Sequence, residues 1–215
     1  MTREELRSAG FPVEDGAYQR LAEFVDLLLD ENRRVNLTAI RSAPEVWRLH
    51  ICDSLAAVPL LRETTPAKIL DLGTGGGVPG IPLACAVPAA AFTLIDATRK
   101  KTAAVERMAT KLGFDNLRVV WGRAEVLAQD PSLRHAFTVV IARAVAPVRD
   151  LAVYAAPFLQ AGGKALFYKT LDFADELAAA ENALPALGLR YSAARHYRLP
   201  GDMRERVLLV LEKGR

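Results

Sequence analysis

The stretch from Lys68 to Gly80 brings together residue types that suit a nucleotide-like ligand. An apolar pair, Ile69-Leu70, predicts a buried strand that ends at Asp71. The glycines that follow predict a turn whose backbone a ligand can approach closely, because glycine has no side chain and tolerates positive φ; they are Gly73, Gly75, Gly76 and Gly77. A strand that leads through such a turn into a helix places a ligand at the carboxyl end of the strand.

Two interpretations of this loop compete. Gly75-x-Gly77-x-x-Gly80 matches the dinucleotide fingerprint G-x-G-x-x-G. Asp71-x-Gly73-x-Gly75-x-Gly77 resembles motif I of the class I methyltransferases that use S-adenosylmethionine, AdoMet. AdoMet carries an amine, which a carboxylate attracts, and lacks the pyrophosphate that a carboxylate would repel. The loop therefore favours AdoMet over a nicotinamide cofactor.

Acidic residues follow the next two predicted strands. Asp96 ends the second strand, 19 residues after Gly77, where a carboxylate can accept hydrogen bonds from ribose hydroxyls. AdoMet and NAD share that ribose, so Asp96 indicates a nucleoside without choosing between them; a helix N-cap is the alternative role. Ala124-Glu125 follows the third strand, where an adenine ring would lie, although Glu125 could instead cap the next helix.

The fourth predicted strand ends in Ile141-Ala142-Arg143-Ala144, where class I methyltransferases place the residues that face the methyl acceptor. The tetrapeptide N/D-P-P-Y/F/W of many exocyclic-amine methyltransferases is absent, and no cysteine is near to serve as the nucleophile for a pyrimidine carbon. The acceptor is therefore expected to have a free lone pair, as guanine N7 does. Arg143 suits the O6 and N7 of guanine, and it could also bind substrate phosphate or the carboxylate of AdoMet. It and Lys169, at the end of the fifth strand, are the predicted catalytic residues, with a structural salt bridge as the alternative for Arg143.

Short apolar runs alternate with helical patterns from Ala67 onward, which predicts a parallel, doubly wound sheet. The predicted strands are Lys68–Leu72, Phe92–Asp96, Leu117–Trp121, Phe137–Ala142 and Lys164–Tyr168, then Leu189–Leu199 and Arg206–Lys213 without a helix between them. The predicted helices lie near Pro79–Val87, Arg99–Leu112, Val148–Pro157 and Asp172–Leu187. The predicted fold is α/β, the Rossmann-like class I methyltransferase plan: a seven-stranded, mostly parallel sheet with a terminal antiparallel hairpin.

The first 65 residues predict an N-terminal helical cap that precedes an AdoMet-binding methyltransferase domain at residues 66–215. Thr2-x-x-Glu5 is a capping box that opens a short helix. Asp15 is expected to cap a longer amphipathic helix. Ser42-x-Pro44-Glu45 is expected to open a third helix that runs to about Leu61.

Composition narrows the class of protein. Hydrophobic residues make up 51% and charged residues 25% of the 215, an ordinary globular profile. Neither a membrane-length apolar run nor a signal peptide is present, so we expect a cytoplasmic protein without a membrane partner. Cys52 and Cys85 lack metal-binding spacing and are expected to be free thiols, so no metal site is predicted. The net charge is −3 over residues 1–66 and +6 over residues 67–215, which is compatible with a polyanionic substrate.

Four blocks of sequence together resemble the family of ribosomal small-subunit methyltransferase G, also called glucose-inhibited division protein B. They are N-R-R-V-N-L-T at Asn32–Thr38, R-L-H-I-C-D-S-L at Arg48–Leu55, D-L-G-T-G-G-G-V-P-G-I-P-L-A at Asp71–Ala84 and A-R-A at Ala142–Ala144. The resemblance implies an enzyme that methylates N7 of a guanine in the 530 loop of 16S rRNA with AdoMet. It also implies AdoMet contacts at Gly73, Val78, Ala124, Glu125 and Arg143.

Two other functions stay open: a non-catalytic RNA-binding protein with an AdoMet-binding fold, and a nicotinamide-dependent oxidoreductase. The expected partner is 16S rRNA, either naked or within the small ribosomal subunit, and a monomer is expected. Arg33-Arg34 and Arg99-Lys100-Lys101 are the predicted RNA-binding surfaces. One position departs from the family, since Lys169 is followed by Thr170 where the family commonly has glycine.

Overall fold

Seven strands form the centre of the computed structural model, which describes residues 1–64, 67–170 and 173–214. They are β1 (Lys68–Leu72), β2 (Ala91–Asp96), β3 (Leu117–Trp121), β4 (Phe137–Arg143), β5 (Leu159–Lys169), β6 (Leu189–Arg198) and β7 (Glu205–Lys213). Their order across the sheet is β3-β2-β1-β4-β5-β7-β6. β1 to β5 are parallel, and β7 lies antiparallel between β5 and β6. The predicted seven-stranded sheet with a terminal hairpin is confirmed.

Helices cover both faces of the sheet, and those of the N-terminal helical cap precede its first strand. They are α1 (Arg3–Ser8), α2 (Asp15–Asn32), α3 (Ala43–Val46), α4 (Asp53–Leu55), α5 (Val58–Glu63), α6 (Gly80–Ala86), α7 (Arg99–Lys111), α8 (Ala124–Leu127), α9 (Val148–Ala155) and α10 (Phe173–Ala180). A π-helical segment, Trp47–Cys52, joins α3 to α4. None of the helices in the described ranges is long and apolar enough to cross a membrane.

The two faces of the central strands bury side chains in two different cores. Ile69 of β1 belongs to a core that it shares with Leu28 of α2 and Ile81 of α6, whereas Leu70 belongs to a core with Leu151 of α9. Burial on both faces explains the apolar runs Ile69-Leu70 of β1 and Val139–Ala142 of β4, since parallel strands are usually apolar on both sides. The helical cap therefore packs on one face of the sheet. The predicted boundary between residues 65 and 66 lies outside the described residues.

The N-terminal helices agree with the predicted pattern in part. The Thr2 capping box is present, with the Glu5 backbone N–H donating to the Thr2 hydroxyl and the Thr2 N–H donating to the Glu5 carboxylate. Asp15 does not cap α2, because the N-cap is Glu14 and the Asp15 carboxylate pairs with Arg3 at 2.5 Å. Ser42 is the N-cap of α3 but donates its hydroxyl to Glu45 instead of accepting a backbone N–H.

Two predicted helices are shorter in the structure. The third helix ends at Leu55, and α5 begins separately at Val58. Pro59, in the first turn of α5, has no N–H to donate to a carbonyl of the preceding turn, which accounts for the break. The predicted start of the last helix, Asp172, lies outside the described residues. That helix ends at Ala180 as α10, and a separate 3-10 turn begins at Pro185.

Candidate active site

A cavity of about 430 Å³ opens at the carboxyl edge of the sheet, where β1 and β2 end beneath the helical cap. The glycine-rich loop, the end of β2 and the segment after β4 supply most of its wall: Gly73, Thr74, Gly75, Gly76, Val78, Asp96, Ala97, Thr98, Lys101, Arg143, Ala144 and Val145. The cap adds Leu28, Leu37, Thr38 and His50. We call it the cofactor cavity. A smaller hollow of about 180 Å³ at the end of β3 shares Gly73, Asp96, Ala97 and Val145 with it.

Gly75 is the position in the loop where a side chain would enter the cavity. Its φ is +56°, and an added Cβ would meet only the carbonyl oxygen of Gly73, at 4.0 Å. Gly73 differs, because an added Cβ would lie 2.7 Å from Cγ2 of Val145. Gly77 does not line the cavity, and its Cβ would collide with Ile81 of α6. Gly75 therefore shapes the cradle for a ligand, while the glycine at 77 allows the loop to pack on α6.

Asp96 connects the loop to the start of α7. Its Oδ2 accepts the backbone N–H of Gly75 at 2.9 Å, and its Oδ1 accepts the N–H of Thr98 at 2.7 Å. The N-cap of α7 is Thr98, so Asp96 is not the cap itself. The carboxylate lines both the cofactor cavity and the hollow beside β3, and each oxygen keeps a lone pair for a further donor. This placement suits the predicted contact with a ribose.

Asp71 lies behind the loop and does not line the cavity. It is fully buried, and its Oδ2 accepts the hydroxyl of Thr74 at 2.6 Å and the N–H of Gly80 at 2.9 Å. Its Oδ1 has no hydrogen-bond partner among the described residues. Burial raises the pKa of Asp71 to about 6, against the lowering effect of the Thr74 and Gly80 hydrogen bonds. The carboxyl group thus joins the two ends of the loop, and its predicted contact with the AdoMet amine stays a prediction.

The raised pKa of Asp71 predicts a pH-dependent stability. The folded state holds this proton more tightly than the unfolded chain, whose ordinary value is 3.8, so the stabilisation is full below about pH 4 and is lost as the pH rises through about 6. Two pKa units correspond to about 3 kcal/mol. Asparagine does not titrate, so only the wild type should lose this stabilisation as the pH rises. We therefore expect the free energy of unfolding of Asp71→Asn, relative to that of the wild type, to increase by up to this amount between pH 4 and 7. Urea denaturation of both proteins measures the difference. A constant difference across this range would show that Asp71 does not titrate there.

The remaining predicted cofactor residues lie around the same edge. Val78 is buried in the wall of the cofactor cavity. Ala124 and Glu125 are the first two residues of α8 and line the hollow beside β3. Glu125 does not cap this helix, because the N-cap is Arg123. The first backbone N–H groups of a helix have no acceptor within it, so they are free to bind a ring nitrogen.

Arg143 ends β4 and is largely enclosed, with 14% of its side chain exposed. Its Nη1 donates to Oδ2 of Asp53 at 2.8 Å and to the carbonyl of Leu49 at 3.1 Å. Its Nη2 lies 2.9 Å from Nδ1 of His50. The salt bridge considered as the alternative for Arg143 is therefore present, with a partner from the helical cap. Arg143 nevertheless lines the cofactor cavity while it makes this salt bridge.

The contacts of His50 determine which ring nitrogen carries its proton. A guanidinium only donates, so Nδ1 accepts from Arg143 and the proton resides on Nε2, 2.9 Å from the Thr38 hydroxyl oxygen. Burial, helped by the charge of Arg143, lowers the pKa of His50 to about 4. Asn32 holds the loop that carries Thr38, with its amide bonded to the backbone of Leu37, Thr38 and Ile40. The first two sequence blocks thus build the roof of the cofactor cavity around a neutral histidine.

A second cavity of about 450 Å³ adjoins the first at Arg143, Ala144 and His50. We call it the acceptor cavity. Its other lining residues come from the end of β5, from α10, from the cap and from the terminal hairpin: Leu49, Asp53, Tyr168, Lys169, Thr170, Glu176, Tyr197 and Arg206. Lys169 does line it, but its Nζ donates to Glu176 at 2.5 Å and to the carbonyl of Ala146 at 3.0 Å.

Sequence reasoning assigned no role to several of these residues. Asp53 is buried and contacts three side chains. Its Oδ1 accepts a hydrogen bond from the hydroxyl of Tyr197 at 2.7 Å and lies 3.6 Å from Nη1 of Arg206. Its Oδ2 accepts a hydrogen bond from Arg143. The hydroxyl of Tyr168 donates to the carbonyl of Ser54 at 2.7 Å. The available signal was His50-x-x-Asp53, whose spacing places two polar side chains on one side of a helix. The hairpin residues carry no comparable signal.

Comparison with known proteins decides the family. The model of the family described as rRNA small subunit methyltransferase G matches residues 17–200. The chain belongs to this family. The ribosomal RNA small subunit methyltransferase G of Carboxydothermus hydrogenoformans is 38% identical over 95% of this chain and 86% of its own length. The protein of the same name from Chloroflexus aggregans is 38% identical over 98% and 87%. The family predicted from the four sequence blocks is confirmed.

Solved structures agree on the fold. A protein from Klebsiella pneumoniae, described as a candidate O-methyltransferase, aligns with a TM-score of 0.64 at 17% identity and covers 99% of this chain and 96% of its own. TYW2 of M. jannaschii, solved in complex with AdoMet, aligns with a TM-score of 0.54 at 12% identity over 68% and 67% of the two chains. At these identities the likeness establishes the class I methyltransferase fold alone.

Proposed function

We propose that the protein transfers a methyl group from AdoMet to N7 of a guanine in the 530 loop of 16S rRNA. The observation that carries the proposal is the meeting of two cavities at Arg143, one beneath the glycine-rich loop and one lined by cationic, acidic and tyrosine side chains. A nucleoside cofactor suits the first cavity and a nucleotide suits the second. Membership in the rRNA small subunit methyltransferase G family supports the assignment of the substrate.

The residues of the cofactor cavity fit AdoMet. The cradle at Gly75 admits a ligand against the backbone, and the Asp96 carboxylate, fixed by two N–H groups, can accept the ribose hydroxyls. The start of α8 at Ala124-Glu125 borders the hollow suited to adenine. Asp71 shapes this loop from behind, through Thr74 and Gly80. When bound, AdoMet supplies an electrophilic methyl group.

Positioning, not proton transfer, accounts for the catalysis that this site can perform. Guanine N7 carries no proton at neutral pH, so its attack on a methyl group needs no general base. His50 is neutral there, with a pKa of about 4, and its Nδ1 lone pair is occupied by Arg143. Arg143, held by Asp53, and Lys169, held by Glu176, are placed to donate hydrogen bonds to the acceptor base or its phosphate.

Labelled methyl transfer tests the proposal directly. Purified protein is incubated with radiolabelled AdoMet and either naked 16S rRNA or small ribosomal subunits, and the product nucleosides are separated. Label in 7-methylguanosine from the 530 loop supports the proposal and shows which substrate is used, and either substrate agrees with the predicted cytoplasmic location. Label elsewhere, or none, contradicts it. Calorimetry with AdoMet and NADH separates an RNA-binding protein that holds AdoMet from a nicotinamide enzyme.

We expect binding of 16S rRNA to depend on Arg33 and Arg34. Both are exposed and lie within Asn32–Thr38, the segment of the cap whose Leu37 and Thr38 line the cofactor cavity. Reversing both charges to glutamate should raise the RNA dissociation constant and lower the salt slope by about two, because each lost phosphate contact removes about one unit. The AdoMet dissociation constant should not change. Lys101 is unsuitable for this test because it lines the cofactor cavity.

A matched control for this pair is Lys68→Glu with Arg190→Glu. Both residues are exposed at the starts of parallel-running strands, on the edge of the sheet opposite the two cavities. The control has the same change in net charge and should bind RNA with nearly the wild-type affinity. Equal losses of RNA affinity in the two double variants would show that only the net charge matters. If the RNA affinity of the wild type did not change with salt concentration, RNA would no longer be an expected partner.

A further inference from the structure

The acceptor cavity contains two carboxylates, and only one of them has an oxygen to offer. Both oxygens of Asp53 are engaged, by Arg143 on one side and by Tyr197 and Arg206 on the other. The Asp53 side chain is 3% exposed, whereas that of Glu176 in α10 is 27% exposed. Glu176 is therefore the acidic group that a ligand in this cavity can reach.

Glu176 is held by one of its two oxygens. Oε2 accepts the Nζ of Lys169 at 2.5 Å and the backbone N–H of Val148, at the start of α9, at 2.8 Å. Within the part of the chain that the structure describes, no group donates a hydrogen bond to Oε1. A carboxylate oxygen accepts hydrogen bonds only, so Oε1 favours a ligand edge that carries hydrogen-bond donors.

The location of Glu176 relates it to one edge of a purine. Arg143, Ala144 and His50 line both cavities, so they mark the wall through which a methyl group must pass. Glu176 lines the acceptor cavity and not the cofactor cavity. A guanine that turns N7 toward the shared wall turns the opposite edge, with N1–H and the 2-amino group, toward the rest of the cavity. Those are two adjacent donors.

We propose that Glu176 is a specificity residue that accepts hydrogen bonds from N1–H and the 2-amino group of the target guanine. The proposal rests on the proposed function and adds the feature by which the site selects its base. Adenine also has an N7, but it presents an unprotonated N1 and no 2-amino group, so it would place a lone pair against the carboxylate. A site built to bind polar groups rejects an analogue that lacks them, because its own groups are left unpaired.

The test compares guanosine with inosine, which lacks only the 2-amino group. Ligated 16S rRNA carries one or the other at the methylated position, either naked or reconstituted into the subunit, as the wild type requires. We expect the wild type to methylate the guanosine substrate with a kcat/KM at least about tenfold above that of the inosine substrate, the effect of one hydrogen bond to a charged group. In Glu176→Gln the guanosine rate should fall more than the inosine rate, so that this ratio approaches one.

The ratio separates recognition from structural damage. If Glu176 only positions Lys169, both substrates should lose activity equally and the ratio should stay at the wild-type value, which would overturn the proposal. Asp175→Asn is the matched control, because it removes one charge from the neighbouring exposed position of α10 and Asp175 does not line the cavity. It should keep the wild-type ratio.

The same experiment distinguishes the two proposals from each other. If the wild type methylates guanosine and inosine equally well, the reaction assigned to the protein stands and the role of Glu176 is wrong. If the wild type labels neither substrate at N7, the proposed function itself fails. Retention of the guanosine preference in folded Glu176→Gln would also contradict the role of this residue.

Discussion

The variant Gly75→Val is expected to lose AdoMet binding, with a dissociation constant raised by at least about a hundredfold, or about 2.7 kcal/mol. The glycine has a φ of +56°, which a β-branched residue adopts only at a cost of about 1–3 kcal/mol. Its added side chain would also point into the cofactor cavity, where the nearest protein atom to the Cβ is 4.0 Å away. Isothermal titration calorimetry measures the change.

Gly113→Val controls for backbone strain. Gly113 has a φ of +66° and no atom within 4 Å of an added Cβ, and it lies in the turn after α7, outside the cavity. The Gly113→Val variant should lose a similar amount of stability through backbone strain, and it should bind AdoMet with the wild-type affinity. Valine at position 73 would be a poorer test, because its Cβ would collide with Val145 whether or not a ligand is present. Wild-type affinity in a folded Gly75→Val protein would show that AdoMet binds elsewhere.

Arg143→Ala is expected to reduce both methyl transfer and stability. The loss of a positioned donor should lower kcat by roughly tenfold to a thousandfold, about 1.4 to 4 kcal/mol. An arginine at the carboxyl end of a strand would be expected to have few core contacts, so that alanine would leave the fold intact. The structure shows instead that alanine would deprive a buried carboxylate, Asp53, of its closest cation. With Arg206 still 3.6 Å away, we expect a loss of about 3 kcal/mol in the free energy of unfolding.

Two further variants separate these effects. Arg143→Lys keeps the charge beside Asp53 but lacks the planar fork that reaches His50 and Leu49 as well, so it should fold and recover only part of the activity. The double variant Arg143→Gln with Asp53→Asn removes both charges and should recover stability without activity. Urea denaturation and single-turnover methyl transfer measure the two properties. A stable and fully active alanine variant would make Arg143 a bystander.

The glycine-rich loop was predictable because its chemistry is local. Positive φ at Gly75 and a carboxylate at the end of the next strand both follow from a few neighbouring residues. In the structure the backbone N–H of Gly75 donates to Oδ2 of Asp96 at 2.9 Å. The sheet was predictable for a related reason, since the alternation of apolar runs and helical patterns is also local. The helix ends were harder to predict, because Asp15 and Ser42 bind the side chains of Arg3 and Glu45 instead of capping backbone N–H groups.

The acceptor cavity was not predictable in the same way. Arg143 meets Asp53, 90 residues earlier in the chain, and Asp53 meets Tyr197, 144 residues later. Spacing along the sequence indicates which residues share a helix face, but not which distant segments pack together. In the sequence, nothing distinguishes Glu176 from the other acidic residues of the predicted helix Asp172–Leu187. Only its position beside Lys169 and the start of α9 distinguishes it.

The order of the last strands has a consequence for synthesis of the protein. β7 follows β6 in the chain but lies between β5 and β6 in the sheet. A nascent chain that has emerged as far as β6 therefore has no neighbour for that strand and leaves the edge of β5 open, with backbone groups that can pair with other chains. The loop and strands that line the cofactor cavity emerge before β5, whereas Arg206 is the last residue of the acceptor cavity to emerge. The acceptor cavity is thus completed later in translation than the cofactor cavity, whose lining residues all precede β5.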